Sequence, residues 1–208
     1  RAAVVDICRR LDGIPLAIEL AAARVPLLGV AGLRARLDER FHVLTAGARA
    51  VLRRHQTLRA ALEWSHALLS DGERVVFRRL GVFAGGFTIE AAQALAEDDM
   101  IDGWDVLEHL GGLVDKSLVV ADDGNVPRYR LLETSRLYAL ERLAEAGETD
   151  PWLRRHAGDC MALAEAQDAA IVGHGQGADA VAALDRERDN LLHALNWCDQ
   201  AGDDDAAA

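Results

Sequence analysis

Apolar positions recur at helical spacing from the start of the chain. Val4, Ile7, Cys8 and Leu11 form one stripe, and Asp12-Gly13-Ile14-Pro15 breaks it. Pro15 then opens a second helix, Leu16 to Arg24, whose apolar character nearly all round predicts burial. Leu33 to Phe41 predicts a further short amphipathic helix, followed by an irregular stretch containing Gly47 and running to Thr57. A domain boundary is placed near residue 50.

Leu58, Ala61, Leu62, Ser65, Leu68 and Leu69 share one helical face, with Thr57 as its N-cap. Ser70 and Glu73 have the spacing of a capping box, which predicts a helix through Val76, Phe77 and Leu80. Ala84-Gly85-Gly86-Phe87 reads as a turn, Thr88 as a cap, and Ile89 to Leu95 as a short helix. Trp104, Leu107, Leu110, Leu113 and Val114 line another. The period then changes: Leu118-Val119-Val120 and Tyr129-Arg130-Leu131 are strand-like, around a turn at Asp122-Asp123-Gly124-Asn125. Several short helices followed by a two-stranded hairpin is the element order of a winged helix. Helices are predicted again over Thr134 to Ala146, Pro151 to Ala170 and Val181 to Ala201, with a Gly173 to Gly177 loop before the last. The fold class is therefore mainly α: a helical subdomain over 1–50, a winged helix with a small β-hairpin over 51–140, and an α-helical, TPR-like segment over 141–208.

Length and hydrophobic content suffice for ordinary buried cores. The chain begins at Arg1 and closes on an Asp203-Asp204-Asp205 run, so we expect a fragment of something longer. No apolar stretch reaches the roughly 20 residues of a membrane helix, and no signal pattern opens the sequence, which makes the cytoplasm the expected location and a membrane partner unexpected. Cys8, Cys160 and Cys198 are widely spaced and form no Cys-x-x-Cys pair, against both a disulfide framework and a structural zinc site. Net charge is −11, the opposite of a phosphate-binding footprint.

Four strings in this order resemble one family: Leu11-Asp12-Gly13-Ile14-Pro15-Leu16-Ala17, Arg54-His55-Gln56-Thr57-Leu58-Arg59, Phe83-Ala84-Gly85-Gly86-Phe87, and Tyr129-Arg130-Leu131-Leu132-Glu133-Thr134. Together they are similar to bacterial NB-ARC/STAND regulators, ATPases related to antibiotic-regulatory and LuxR-type activators, and the resemblance spans essentially the whole chain. Asp189-Asn190-Leu191 also looks like the family's first repeat helices. The resemblance implies that 1–50 is the helical end of a nucleotide module and that Gly13 and Pro15 are cofactor-binding, the proline packing on adenine. It also implies ATP or ADP with magnesium in the intact protein, held by an upstream P-loop domain of the same chain. Related death-regulator and plant-immunity ATPases carry a phosphate-sensing histidine where Leu132 stands here, and leucine offers neither a donor nor a charge. By spacing alone Gly13 and Pro15 would simply join two helices.

The sequence contains no Gly-x-x-x-x-Gly-Lys-Ser/Thr, so this fragment is not expected to hydrolyse ATP or to hold nucleotide tightly by itself, and no catalytic residue is named. From Glu97 to Asp123 nine acids stand against one lysine, Lys116, across the would-be recognition helix, which opposes insertion into a DNA groove. From Arg34 to Arg59 seven arginines stand against Asp38 and Glu39; such a basic run is most often a solvated face, and as a functional patch it could meet an acidic surface of the same protein, nucleotide phosphates or nucleic acid, the intramolecular contact being favoured. His156 and Cys160 share a helix face, but two ligands do not make a metal site. The Gly173 to Gly177 loop follows no strand and reads as a linker. The leading reading is a regulatory fragment of a nucleotide-dependent signalling ATPase that controls transcription. Its helical C-terminal part would bind an effector or protein partner, and DNA would be reached only through a separate domain. The alternatives are a stand-alone winged-helix DNA-binding regulator and a TPR-like interaction scaffold.

Overall fold

The structure is a computed structural model and describes residues 2–10, 18, 22, 25–35, 59, 62, 63, 65–122, 124, 126–172 and 177–202. The chain divides into two compact units, Arg1–Leu68 and Leu69–Ala208.

In the first unit, α1 (Ala2–Arg10) and α2 (Val25–Ala35) pack together. Ile7 and Leu33 are buried between them, with Ile18, Val25, Leu28 and Val30 alongside. Of the predicted apolar stripe on α1, Ile7 is buried and Val4 is half exposed. The helix expected from Leu33 begins at Val25, because Pro26 suits a first turn and Leu28 and Leu33 reach the same core. Gly29, at φ 66°, kinks it, a left-handed conformation that glycine adopts without a Cβ penalty. Gly13, Pro15, Thr57 and the boundary placed near residue 50 lie outside the described residues.

The second unit opens on α3 (Asp71–Leu80). Its capping box is formed as the spacing predicts: the Glu73 amide donates to Ser70 Oγ at 3.2 Å, and the Ser70 amide to Glu73 Oε2 at 2.8 Å. Thr88 caps α4 (Ile89–Ala96), accepting from the Ala91 amide at 3.2 Å. Asp102 caps α5 (Gly103–Asp115), where Val106, Leu110 and Leu113 form the buried stripe. The apolar character of Trp104 predicts a place on that stripe, but the residue is 78% exposed. It stands two positions before Val106, roughly 200° around the helix axis.

Strands β1 (Val119–Asp122) and β2 (Arg128–Leu131) pair antiparallel, from Val119 opposite Leu131 to Asp122 opposite Arg128. Phe87 adds a bridge to Tyr129, with 2.8 Å amide-to-carbonyl bonds in both directions. Helices α3, α4 and α5 pack on one another and α6 (Glu133–Glu145) closes over α3. The core between them holds Val76, Phe77, Leu80, Leu95, Leu110, Tyr138 and Leu143. At the α3–α6 crossing a Cβ on Gly81 would stand 2.8 Å from Ala139 Cβ, so glycine is what permits this approach.

Beyond α6, α7 (Thr149–Val172), α8 (Gly177–Arg186) and α9 (Arg188–Ala201) form a helical arm whose long helix α7 packs against α8, α9, α4 and α6. The division drawn at residue 140 falls inside α6. The single helix expected over 181–201 is two, broken at Glu187 (φ −97°, ψ 7°). There the Glu187 amide is shared between the Ala183 and Leu184 carbonyls, while its side chain is held by Arg128 and Asn190. Among the described residues the structure is thus mainly helical with one small antiparallel sheet, the class the sequence predicts.

Candidate functional site

Two features of the second unit bear on function: the solvent side of α5, and the joint between the β-hairpin and the arm. In a winged helix the helix before the hairpin is the one offered to a partner, and here that helix is α5. Its N-terminus is fixed by Asp102, whose Oδ1 accepts from the Trp104 and Asp105 amides at 2.8 and 2.9 Å. Trp104, Glu108, Gly111 and Asp115 follow one another along the exposed side at helical spacing. Met100, 86% exposed, stands just before the cap.

The cations nearby are engaged within the fold. Lys116 Nζ reaches Glu73 Oε1 at 2.6 Å. Burial pushes the Glu73 carboxyl up, but Lys116 and the Ser70 amide outweigh it and hold it below its ordinary value. Arg78 donates twice to Glu148, both at 2.8 Å, and holds that carboxyl below its usual range against burial. Arg79, buried, pairs with Asp98 and lies 4.1 Å from the Trp152 ring centre. Arg136 pairs with Glu133 at 2.9 Å and Arg142 with Glu145 at 2.6 Å. In the hairpin Arg130 stands 3.8 Å from Asp122. The side that would meet a groove therefore carries a tryptophan and carboxylates, with the arginines drawn into pairs.

The joint gathers residues from distant parts of the sequence. Asn190, on the first turn of α9, accepts from the Gly85 amide at 3.0 Å and donates to the Gly86 carbonyl at 2.9 Å and to Glu187 Oε2 at 2.7 Å. Arg128 of β2 donates to the same Gly86 carbonyl at 2.8 Å and pairs with Glu187 at 2.7 Å. Two of the strings that carry the family resemblance, at Gly85-Gly86 and at Asn190, thus meet here, and Arg128 adjoins a third, which begins at Tyr129. Sequence reasoning assigned Asn190, Arg128 and Glu187 no role. The only signal was that Asn190 sits in one of those strings.

Of the other singled-out residues, Leu132 is the N-cap residue of α6 and makes no side-chain capping bond. Arg34 pairs with Asp6 at 2.6 Å and Arg59 with Glu63 at 3.0 Å. Arg36, Arg40, Arg49, Arg53 and Arg54 lie outside the described residues. Cys160 Sγ is 3.8 Å from His156 Nε2, both side chains buried. Among the described residues no three His, Cys, Asp or Glu side chains are grouped to hold a metal, and no helix is long and apolar enough to cross a membrane.

Residues 69–144 match the family described as winged helix-turn-helix domain. Over 202 residues, 97% of this chain, the sequence is 48% identical to the Mycobacterium tuberculosis protein named "Putative HTH-type transcriptional regulator Rv0890c". It is equally similar to the Mycobacterium bovis protein named "Putative HTH-type transcriptional regulator Mb0914c". The chain spans 23% of the length of these two relatives. A further Mycobacterium tuberculosis protein is 48% identical over 153 residues, covering 73% of this chain and 39% of that protein. No solved structure matches. The helices α3 to α5, the β1–β2 hairpin and the matched range agree, and residues 69–144 form a winged helix-turn-helix domain in a chain similar to proteins named as transcriptional regulators.

Proposed function

We propose that this chain is a regulatory part of a longer transcriptional regulator, in which the winged helix works through protein contacts and a separate domain meets DNA. The winged helix-turn-helix match and the relatives' names support the transcriptional role. One observation carries the protein-facing mode: the exposed side of α5 presents Trp104, Glu108 and Asp115 rather than cations. A recognition helix needs donors for base edges and positive charge for phosphates, and this one would bring like charge to a polyanion. The joint at Asn190 makes the arm and the hairpin one packed body, so that a ligand on the arm would be felt at the winged helix. The nucleotide-coupled form of this proposal, with an upstream P-loop domain and adenine packed on Pro15 beside Gly13, rests on the family resemblance alone.

The domain match and the names favour a second reading over the nucleotide switch, a winged helix that itself binds DNA. Under it Arg130 of the hairpin and the arginines of 49–59 would contact phosphates. A fluorescence-anisotropy titration of the chain with a labelled DNA duplex at about 50 and 200 mM salt separates the two, since phosphate binding weakens steeply over that range. We expect no salt-sensitive binding. Salt-sensitive binding lost on Arg130→Ala or on Arg53→Glu with Arg54→Glu would establish the second reading instead.

A further inference from the structure

We infer that the exposed side of α5 is a docking surface for an arginine-bearing segment of another protein, its guanidinium stacked on Trp104 beside the carboxylate of Glu108. The inference rests on the protein-facing reading of the winged helix and names the chemistry of the partner.

Trp104 is a large aromatic surface left 78% in water on the first turn of α5, with Met100 at 86% close before it. Glu108 stands one turn further along the same side, and Asp102 and Asp105 flank the indole in sequence. One more turn on, Gly111 is exposed, and a Cβ built there would meet nothing within 4 Å. The side is consequently a low platform with an indole at one end and carboxylates along it.

The molecule itself shows what such indoles accept. Trp152 is approached by Arg79 at 4.1 Å and by Arg155 at 5.5 Å, and Trp197 by Arg154 at 5.5 Å. In the first two cases the cation also reaches a carboxylate, Asp98 for Arg79 and Glu97 for Arg155. Trp104 stands exposed four residues before Glu108 on the same side of α5, so a cation arriving from outside could meet an indole and a carboxylate together. The ring face attracts a cation through its quadrupole, and the acids add a directional pair. Of the nine acids across Glu97 to Asp123, Glu97, Asp98 and Asp122 already meet arginines, but Glu108 and Asp115 on the exposed side of α5 still draw positive charge in and turn phosphate away, and Lys116 is paired with Glu73. Arginine suits this surface better than lysine, because its planar guanidinium stacks on an indole and bonds a carboxylate with two parallel donors.

The test uses the full 208-residue chain. A short fluorescein-labelled peptide alternating arginine with alanine, and its lysine counterpart, are titrated by anisotropy. We expect the arginine peptide to bind more tightly than the lysine peptide. Trp104→Ala should weaken it about fivefold and erase the preference. Trp104→Phe should retain part of the affinity, and Glu108→Gln should weaken both peptides. Thermal melts check that these surface substitutions leave the fold intact, and the preference of the unsubstituted chain decides the matter if one of them does not. Equal binding of the two peptides, or binding unchanged in Trp104→Ala, overturns the inference. The duplex titration runs alongside: DNA binding by the chain sinks the protein-facing reading itself, whereas no DNA binding together with no arginine preference sinks only the partner assigned here.

Discussion

His156 lies buried in α7, its ring perpendicular to Phe83 with centroids 5.2 Å apart and 6.0 Å from that of His193. The Nδ1 atoms of both histidines are buried without a hydrogen-bond partner among the described residues. Burial, and after it the neighbouring His193, pulls the His156 pKa from 6.5 down to about 4. Burial and Arg136 likewise lower His193, against an opposing pull from Glu133. A base with a depressed folded pKa is fully compatible with the fold above its unfolded value. As pH falls from about 6.5 toward 4 the unfolded chain takes up a proton that the folded chain refuses, so stability is lost across that window. The shift of His156 corresponds to about 3 kcal/mol. Denaturant melts between those pH values should show the decline, and His156→Leu should flatten it; an unchanged slope would remove His156 as its source. At this scale the sequence was readable where the signal is local, as at Ser70, Glu73 and Thr88. It misled at Trp104, because hydrophobicity names a residue's preference while the phase of its helix decides the outcome.

Helix α9 packs on α7 around Ala157, Cys160, Ala194 and Cys198, and one carboxamide ties it to the Gly85-Gly86 turn. Asn190 is the right length to accept from one glycine and donate to the next, and glycine at 85 keeps the approach open, since a Cβ there would stand 3.3 Å from Asp189 Cβ. Asn190→Ala removes these bonds and leaves the Gly85 amide without its acceptor, a loss of about 1–3 kcal/mol. Amide hydrogen exchange should then quicken in α9 while α3 stays protected. Asn190→Asp keeps the acceptor but loses both donors and faces Glu187, so it should do no better than alanine. Equal protection in all three proteins would mean that apolar contacts alone hold the arm. The sequence showed α9 as a helix and missed the break before it, because the polar run Arg186-Glu187-Arg188 reads as the outward side of a continuous helix.

Across the second unit the winged helix and the arm share contacts that local pattern cannot reveal. Arg78 meets Glu148 seventy residues away, Arg155 donates to the Glu97 carbonyl, and Asn190 reaches Gly85 across 105 positions. Repeated helices and a hairpin were legible because each is specified within a few residues. Their assembly was legible only through the family resemblance, and Gly13 and Pro15 lie where the structure describes nothing. A fragment of residues 69–202 should therefore melt in one cooperative transition. One cut at residue 140 should not, since it severs α6 ahead of buried Leu143 and strips α7 from α4. Retention of a sharp transition by the shorter fragment would show that the arm is dispensable.

The clamp at Gly85 and Gly86 has a further effect. Phe87 already adds an isolated bridge to the hairpin at Tyr129. Just before it, the Gly85 amide and Gly86 carbonyl are taken by side chains, the carboxamide of Asn190 and the guanidinium of Arg128. An unpaired run of backbone groups is a template on which another chain can add a strand, the first step toward aggregation. Both groups are thus withheld from an incoming strand, and when Asn190 is lost the bared Gly85 amide is one more place where self-association could begin, while Arg128 still holds the Gly86 carbonyl.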